Sequence, residues 1–200
     1  AETGMQVESG DVVVVKGKTV VPEEKKVYLA FNKPRGIVCT AEKREKNNVI
    51  DYLSYPVRIY PVGRLDKDSE GLLLMTNDGA IVNGIMRARN RHEKEYQVEV
   101  NKEITPEFLK EMASGVPILD TVTRSCRIQK TGERSFTIIL TQGLNRQIRR
   151  MCEALGYRVT KLKRVRIMNI HLKDLKTGEY RPLTEKELAE LKKQIGEEKR

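Results

Sequence analysis

Apolar positions in this chain come in short runs separated by turn residues, and the runs change period along its length. Val27-Tyr28-Leu29-Ala30-Phe31-Asn32 is almost continuously apolar, as expected of a central strand covered on both faces. Lys33-Pro34-Arg35-Gly36 turns it into a second apolar run, Ile37-Val38-Cys39-Thr40, and a charged loop over residues 41–48 follows. Residues 49–53 read as a short helix or turn. Two further runs, residues 58–62 and 72–76, flank a glycine-bracketed loop. Asn77-Asp78-Gly79 is a helix start, after which Ile81, Val82, Ile85 and Met86 recur at helical spacing and give way to a basic exit over residues 86–92. Residues 95–100 alternate as a half-buried strand. Thr105-Pro106-Glu107 caps and begins a helix reaching residue 114. Strands are predicted near residues 126–129 and 136–141. An amphipathic helix is predicted over residues 144–155, with Asn145 near its start and Gly156 at its stop. Residues 159–162 and 165–172 read as two strands. A helix over residues 184–195 opens with the capping box Thr184-Glu185-Lys186-Glu187. Strands with about four helices, without regular alternation, predict an α+β domain around an antiparallel or mixed sheet.

Charge narrows the partner. The 200 residues carry 38 Lys+Arg against 28 Asp+Glu, a formal net charge of +10. A strongly basic chain points to a polyanion, nucleic acid before membrane, against the plain alternative that the charge serves solubility. No apolar run approaches the ~20 residues that span a bilayer, and no signal peptide is visible. Cys39, Cys126 and Cys152 are an odd, scattered set, which argues against a disulfide framework and a zinc site and fits a reducing cytoplasm. Cys152 falls on the apolar side of its helix. His92 and His171 lack metal-like spacing, and no phosphate-binding glycine motif is present, so neither metal nor cofactor is expected.

The glycine-bracketed loop, Gly63-Arg64-Leu65-Asp66-Lys67-Asp68-Ser69-Glu70-Gly71, carries the most chemistry. Loops between buried strands present reactive side chains on a rigid scaffold. Asp66 and Asp68 sit beside Arg64 and Lys67, and fixed positive charge keeps a carboxylate ionised and able to act as nucleophile or base. A plain turn competes, because Asp and Ser side chains bond nearby backbone. A calcium loop fits at its first, third and sixth positions, but the twelfth is Asn77 instead of the bidentate Glu, so calcium is set aside.

Gly63-Arg64-Leu65-Asp66 followed by Ser69-Glu70-Gly71-Leu72-Leu73-Leu74-Met75-Thr76-Asn77-Asp78-Gly79 resembles the signature of the RNA pseudouridine synthases. Lys33-Pro34-Arg35-Gly36, Lys94-Glu95-Tyr96 and Gly143-Leu144-Asn145-Arg146-Gln147-Ile148-Arg149-Arg150-Met151 resemble the family's other motifs, in its order. The branch is the small-subunit type, with kinship to large-subunit synthases suggested by residues 87–96 and 164–169. The resemblance implies a long, bent, mostly antiparallel mixed sheet flanked by helices, with the active-site cleft along it. It implies a catalytic domain over residues 27–200, preceded over residues 1–24 by the last strands of an S4 RNA-binding domain and a linker. Because the chain starts at Ala1, an upstream piece of that module is expected.

The implied reaction converts one uridine to pseudouridine in ribosomal RNA, that of the large subunit foremost. The alternatives are the same chemistry on tRNA, a non-catalytic RNA-binding or ribosome-assembly factor, and a metal-dependent nuclease using Asp66 and Asp68. By the resemblance, Asp66 is the catalytic carboxylate, Arg149 pairs with it, and Tyr96 stacks on the target base. Arg64 fills the space the flipped base leaves, and Leu162 forms the pocket wall. Asp68 is read as structural to the loop and Gln147 as scaffold. RNA-backbone contacts are expected from Lys33, Arg35, Arg87, Arg89, Arg91, Arg146, Arg150, Lys161, Lys163, Arg164 and Arg166, which position RNA without reading its sequence. Moving a bond from N1 to C5 of the same base consumes no water and oxidises nothing, so no cofactor is needed. RNA is the expected partner, and a monomer is expected.

Overall fold

The computed structural model describes residues 13–15, 18–20 and 25–197, with side chains from residue 25 to residue 196. The expected S4 remnant over residues 1–24 lies outside the described residues, apart from β1 (Val13–Val15) and β2 (Lys18–Val20), which pair antiparallel with each other.

The main sheet has nine strands among the described residues. Its path begins at β13 (Tyr180–Pro182) and runs through β3 (Tyr28–Lys33), β5 (Glu70–Thr76) and β11 (Val159–Ile167). It continues through β6 (Lys94–Val100) and β10 (Ser135–Leu140) to β9 (Arg127–Gly132). β4 (Tyr60–Val62) adds to β5, and β12 (Ile170–His171) to β11. Two-residue strands β7 (Pro117–Ile118) and β8 (Thr121–Val122) form a separate hairpin. Every pairing in the main sheet is antiparallel except β5 with β11, where Lys163 lies opposite Glu70 and Arg164 opposite Gly71. The sheet is therefore mixed and mostly antiparallel, as the resemblance implies and as the sequence pattern, which left antiparallel and mixed sheets open, allows. It is open, with β13 and β9 at its edges.

Five helices among the described residues cover it: α1 (Val49–Leu53), α2 (Gly79–Arg87), α3 (Pro106–Ser114), α4 (Gln147–Ala154) and α5 (Glu185–Glu197). Alternation within β5 explains its continuous apolar run. Leu72 and Leu74 pack with Ile81, Ile85, Leu191 and Ile195 of α2 and α5, while Leu73 and Met75 pack with Phe31, Val49 and Ile59 on the opposite face. The other half of the sheet buries only one face. Val98, Phe136, Ile138 and Leu162 join Phe108 and Met112 of α3 and Ile148, Met151 and Cys152 of α4. Asp78 caps α2, accepting from the amides of Ala80 and Ile81, and Thr105 caps α3 through the amide of Phe108.

Several boundaries differ from the sequence pattern. Residues 37–40 form no strand beyond a single bridge from Val38 to Asn48. The two strands expected over residues 159–172 are the nine-residue β11 followed by the short β12, because polar Lys163 and Arg164 continue the ladder. The hairpin β7–β8 and the edge strand β13 carried no apolar alternation to mark them. α4 begins after Arg146, which takes a left-handed conformation (φ 49°) and makes no side-chain cap, so Asn145 is not its start. The amide of Leu144 is instead taken by Gln147 Oε1 at 3.1 Å, which gives Gln147 its scaffold role.

The capping box at α5 is present: Thr184 N–H donates to Glu187 Oε1 (2.9 Å) and Glu187 N–H donates to Thr184 Oγ1 (3.1 Å). Glu187 also holds Arg181 of β13 through two contacts of 2.8 and 3.0 Å. The Arg181 hydrogen bonds hold the Glu187 carboxyl down at about 2. Replacing Glu187 by Ala is expected to cost about 2 kcal/mol in a urea titration. The contribution is present above the unfolded pKa of about 4.3 and fades as pH falls toward the folded value, so the gap between wild type and variant should close in acid.

Candidate active site

The single parallel junction determines where the site lies. β4 leads into the loop over residues 63–69 and β5 leads out, so the loop projects from the strand that meets β11. Gly71 (φ +107°) permits that approach, since a Cβ there would lie 2.2 Å from the Arg164 carbonyl oxygen. The loop is tied down at many points. Ser69 N–H donates to Asp66 O (3.0 Å), Gly36 N–H to Lys67 O (2.7 Å), and Leu65 N–H to Cys39 Sγ (3.4 Å).

Three buried cations complete this anchoring. Lys33 Nζ donates to Ser69 O and Pro34 O, both at 2.8 Å. Arg149 Nη2 donates to Asp68 O and Ser69 Oγ, both at 3.0 Å. Arg164 Nε donates to Leu72 O at 2.8 Å and Nη1 to Arg64 O at 3.5 Å, so one guanidinium bonds carbonyls on both sides of Asp66. Burial pulls both the Lys33 ammonium and the Arg149 guanidinium below their ordinary values.

The carboxylates are held from α4. Arg146 makes a two-pronged contact to Asp68 (3.0 and 2.9 Å) and lies 3.4 Å from Asp66 Oδ2. Arg149 Nη1 lies 3.5 Å from Asp68 Oδ2. The Arg146 hydrogen bonds lower Asp68 to about 2 and raise Arg146 in turn. Asp66 keeps 37% of its side chain exposed, toward a cleft of about 530 Å³. Arg64, Tyr96, Leu162, Arg146 and Arg164 line the same cleft, with Lys94 and the end of α2.

Several of the sequence expectations need correction. The partner of Asp66 is Arg146, while Arg149 pairs with Asp68; α4 starts at Gln147, and the left-handed residue just before it, Arg146, lies over the loop. Lys33 is fully buried and Arg164 only 7% exposed, and both are spent on carbonyls, so neither presents its charge to an RNA backbone at the surface. Arg146 is engaged by two carboxylates. Arg166 is bound by Glu93 (3.1 Å) and Glu95 (3.2 Å). Strand alternation places Lys161 and Lys163 opposite the Leu162 and Arg164 side, along a shallow polar groove with Gln97 and Glu99. Arg35, Arg87, Arg89 and Arg91 are exposed as expected, and Arg150 is half-buried, turned back on Asn145. Lys94 belongs to the cleft without having been expected there, although its spacing of two from Tyr96 puts both on one strand face.

The family model for RNA pseudouridylate synthase matches residues 27–154, from β3 to the end of α4, and the chain belongs to that family. It is a pseudouridine synthase. Over 197 residues it is 54% identical to the dual-specificity RNA pseudouridine synthase RluF of Salmonella typhi, spanning 98% of this chain and 68% of that protein. It is 35% identical over 199 residues to ribosomal large subunit pseudouridine synthase B of Bacillus subtilis, spanning 96% and 81%. A crystal structure of a pseudouridylate synthase superposes with a TM-score of 0.78 at 27% identity, covering 95% of this chain and 84% of that one. Among the described residues, no helix is long and apolar enough to cross a membrane, and no group of three or more His, Cys, Asp or Glu could hold a metal ion.

Proposed function

We propose that the chain isomerises one uridine of ribosomal RNA to pseudouridine, with large-subunit RNA as the substrate. The observation that carries this reading is Asp66, held on an anchored loop and open to a cleft that also holds Tyr96, Leu162 and Arg64. The names of the relatives support the choice of RNA. Asp66 attacks the sugar–base unit of the flipped nucleotide, and Arg146, 3.4 Å away, holds it in place. Arg149, Lys33 and Arg164 hold the loop so that this aim is fixed before substrate arrives. Tyr96 stacks on the base, Leu162 supports it, and Arg64 enters the vacated space at the cost of a few kcal/mol of unstacking. Relatives that modify ribosomal RNA in bacteria support a cytoplasmic place of work. Residues 1–24, read as the end of an S4 module, would add a tethered second RNA contact.

Mapping pseudouridines in total RNA from cells with and without the protein tests this reading. A single lost site in large-subunit RNA is expected. A site lost only from tRNA would move the substrate to that class, and no lost site would sink the proposal.

Backbone contacts fall to the exposed arginines, Arg35, Arg64, Arg87 and Arg89. Affinity for RNA should therefore fall steeply with salt, by about a hundredfold between roughly 50 and 200 mM if about four phosphates are neutralised. Filter binding across that range checks it, and a flat response would show that the positive charge is not used on RNA.

A further inference from the structure

We propose that Arg164 and Lys94 form the site that takes the negative charge of the uracil ring once it has left the ribose. The proposal rests on reading the cleft as the uridine site, and adds a chemical role for two of its residues.

Arg164 is 7% exposed, and its Nη2 is buried without a hydrogen-bond partner among the described residues, although Nε and Nη1 are both used. Buried polar groups are nearly always bonded, because leaving one unmet costs free energy. Arg164 lines the cleft, so a guanidinium whose hydrogen bonding is incomplete sets its positive charge beside the space the base would fill. The register places Arg164 directly across from Tyr96. Lys94, two residues before Tyr96 and on the same strand face, lines the cleft as well. Its Nζ donates to Arg89 O at 2.5 Å, which uses one of three donors.

The charge pattern separates these two from their neighbours. Arg146 and Arg149 are offset by Asp68, and Arg166 by Glu93 and Glu95. Among the described residues, no carboxylate is paired with Arg164 or Lys94. Burial, followed by the charges of Arg164, Arg124 and Arg89, pushes the Lys94 ammonium down to about 8. No carboxylate offsets these two directly, so an anion entering beside them would relieve the repulsion that Lys94 feels.

The reaction supplies such an anion. When the C1′–N1 bond breaks, its electron pair leaves with the base, and the uracil carries one negative charge spread over N1, O2 and O4. That charge is discharged when C5 forms its bond to C1′; the ring then loses its C5 proton and N1 gains one, so uridine and pseudouridine keep the same atoms. Fixed positive charge that meets this anion only after bond cleavage lowers the barrier without tightening ground-state binding. A phosphate, charged throughout, would instead make the same residues contribute to affinity.

The test compares Lys94→Met, Lys94→Arg and Arg164→Lys with wild type on unmodified ribosomal RNA, with Asp66→Asn as reference. Single-turnover rate at saturating RNA and RNA affinity are read separately. Lys94→Met should slow the single turnover by about ten- to a hundredfold with affinity within about twofold, and Lys94→Arg should restore most of the rate. Arg164→Lys should slow it too; should that variant fail to fold, the Lys94 pair decides. A normal Lys94→Met rate, or weakened affinity at unchanged rate, overturns the proposal. Loss of the reaction in Asp66→Asn with a normal Lys94→Met overturns it alone, whereas an active Asp66→Asn overturns the reading of the cleft and this proposal with it.

Discussion

Asparagine in place of Asp66 should abolish pseudouridine formation while leaving the protein folded and its RNA affinity within severalfold of wild type. The amide matches the carboxylate in size but lacks its charge and cannot serve as nucleophile or base. A fall of at least about a thousandfold in single-turnover rate is expected, because a nucleophile's contribution is lost whole and not in part. The loop should keep its shape, since its anchors are the backbone of residues 66–69, Ser69 Oγ and the carbonyls of Arg64 and Leu72, none of which involve the Asp66 side chain. The substitution weakens the 3.4 Å approach of Arg146 to residue 66, but Arg146 retains its two-pronged hold on Asp68. Tritium release from labelled uridine, beside a binding titration, separates the two effects. An asparagine variant that turns over normally would remove Asp66 from the chemistry.

Gly71→Ala should produce the largest loss of stability from a single methyl group in this protein. Two costs add. The φ of +107° is unfavourable to any L side chain. The new Cβ would also sit 2.2 Å from the Arg164 carbonyl oxygen and 2.7 Å from its amide nitrogen, and both neighbours are backbone that cannot swing away. The β5–β11 junction would have to part. The expected cost is about 3 kcal/mol, which for a chain of this size lowers the melting temperature by roughly 6–12 °C. Activity should fall further than unfolding alone explains, because parting the strands also draws Arg164 off Leu72 and Arg64. Calorimetry with parallel rate measurement at a temperature where the variant is folded checks both parts. An unchanged melting temperature would mean that the strands do not need to approach so closely.

What could be read from the sequence was local. The continuous apolar run of β5, the Thr184–Glu187 box and the Thr105-Pro106 start of α3 each carry their cause within a few residues, and each is present. The Asp66 loop was legible for the same reason, as a charged turn between glycines. The roles of the cations were not. Lys33, Arg149 and Arg164 look like any other basic residue in sequence, and a basic residue is by default exposed. Their burial depends on carbonyls presented by a loop tens of residues away, which no local pattern encodes. That Arg146, expected on the RNA backbone, takes the place beside Asp66 expected of Arg149 had a similar origin: Arg146 sits in left-handed conformation just before α4, a turn that no local pattern encodes.

The bond from Arg164 to Leu72 joins residues 92 positions apart, and this distance has a consequence for how the enzyme is made. Bringing such remote segments together carries a loop-closure cost that more local pairings, such as β4 with β5, do not pay in full. During synthesis the Asp66 loop leaves the ribosome long before β11, and at that stage it lacks Arg146, Arg149 and Arg164. A nascent chain therefore carries Asp66 without these partners until the strand that completes the junction has emerged, and, under the role proposed for Asp66, competence for catalysis arrives together with the closing of the sheet.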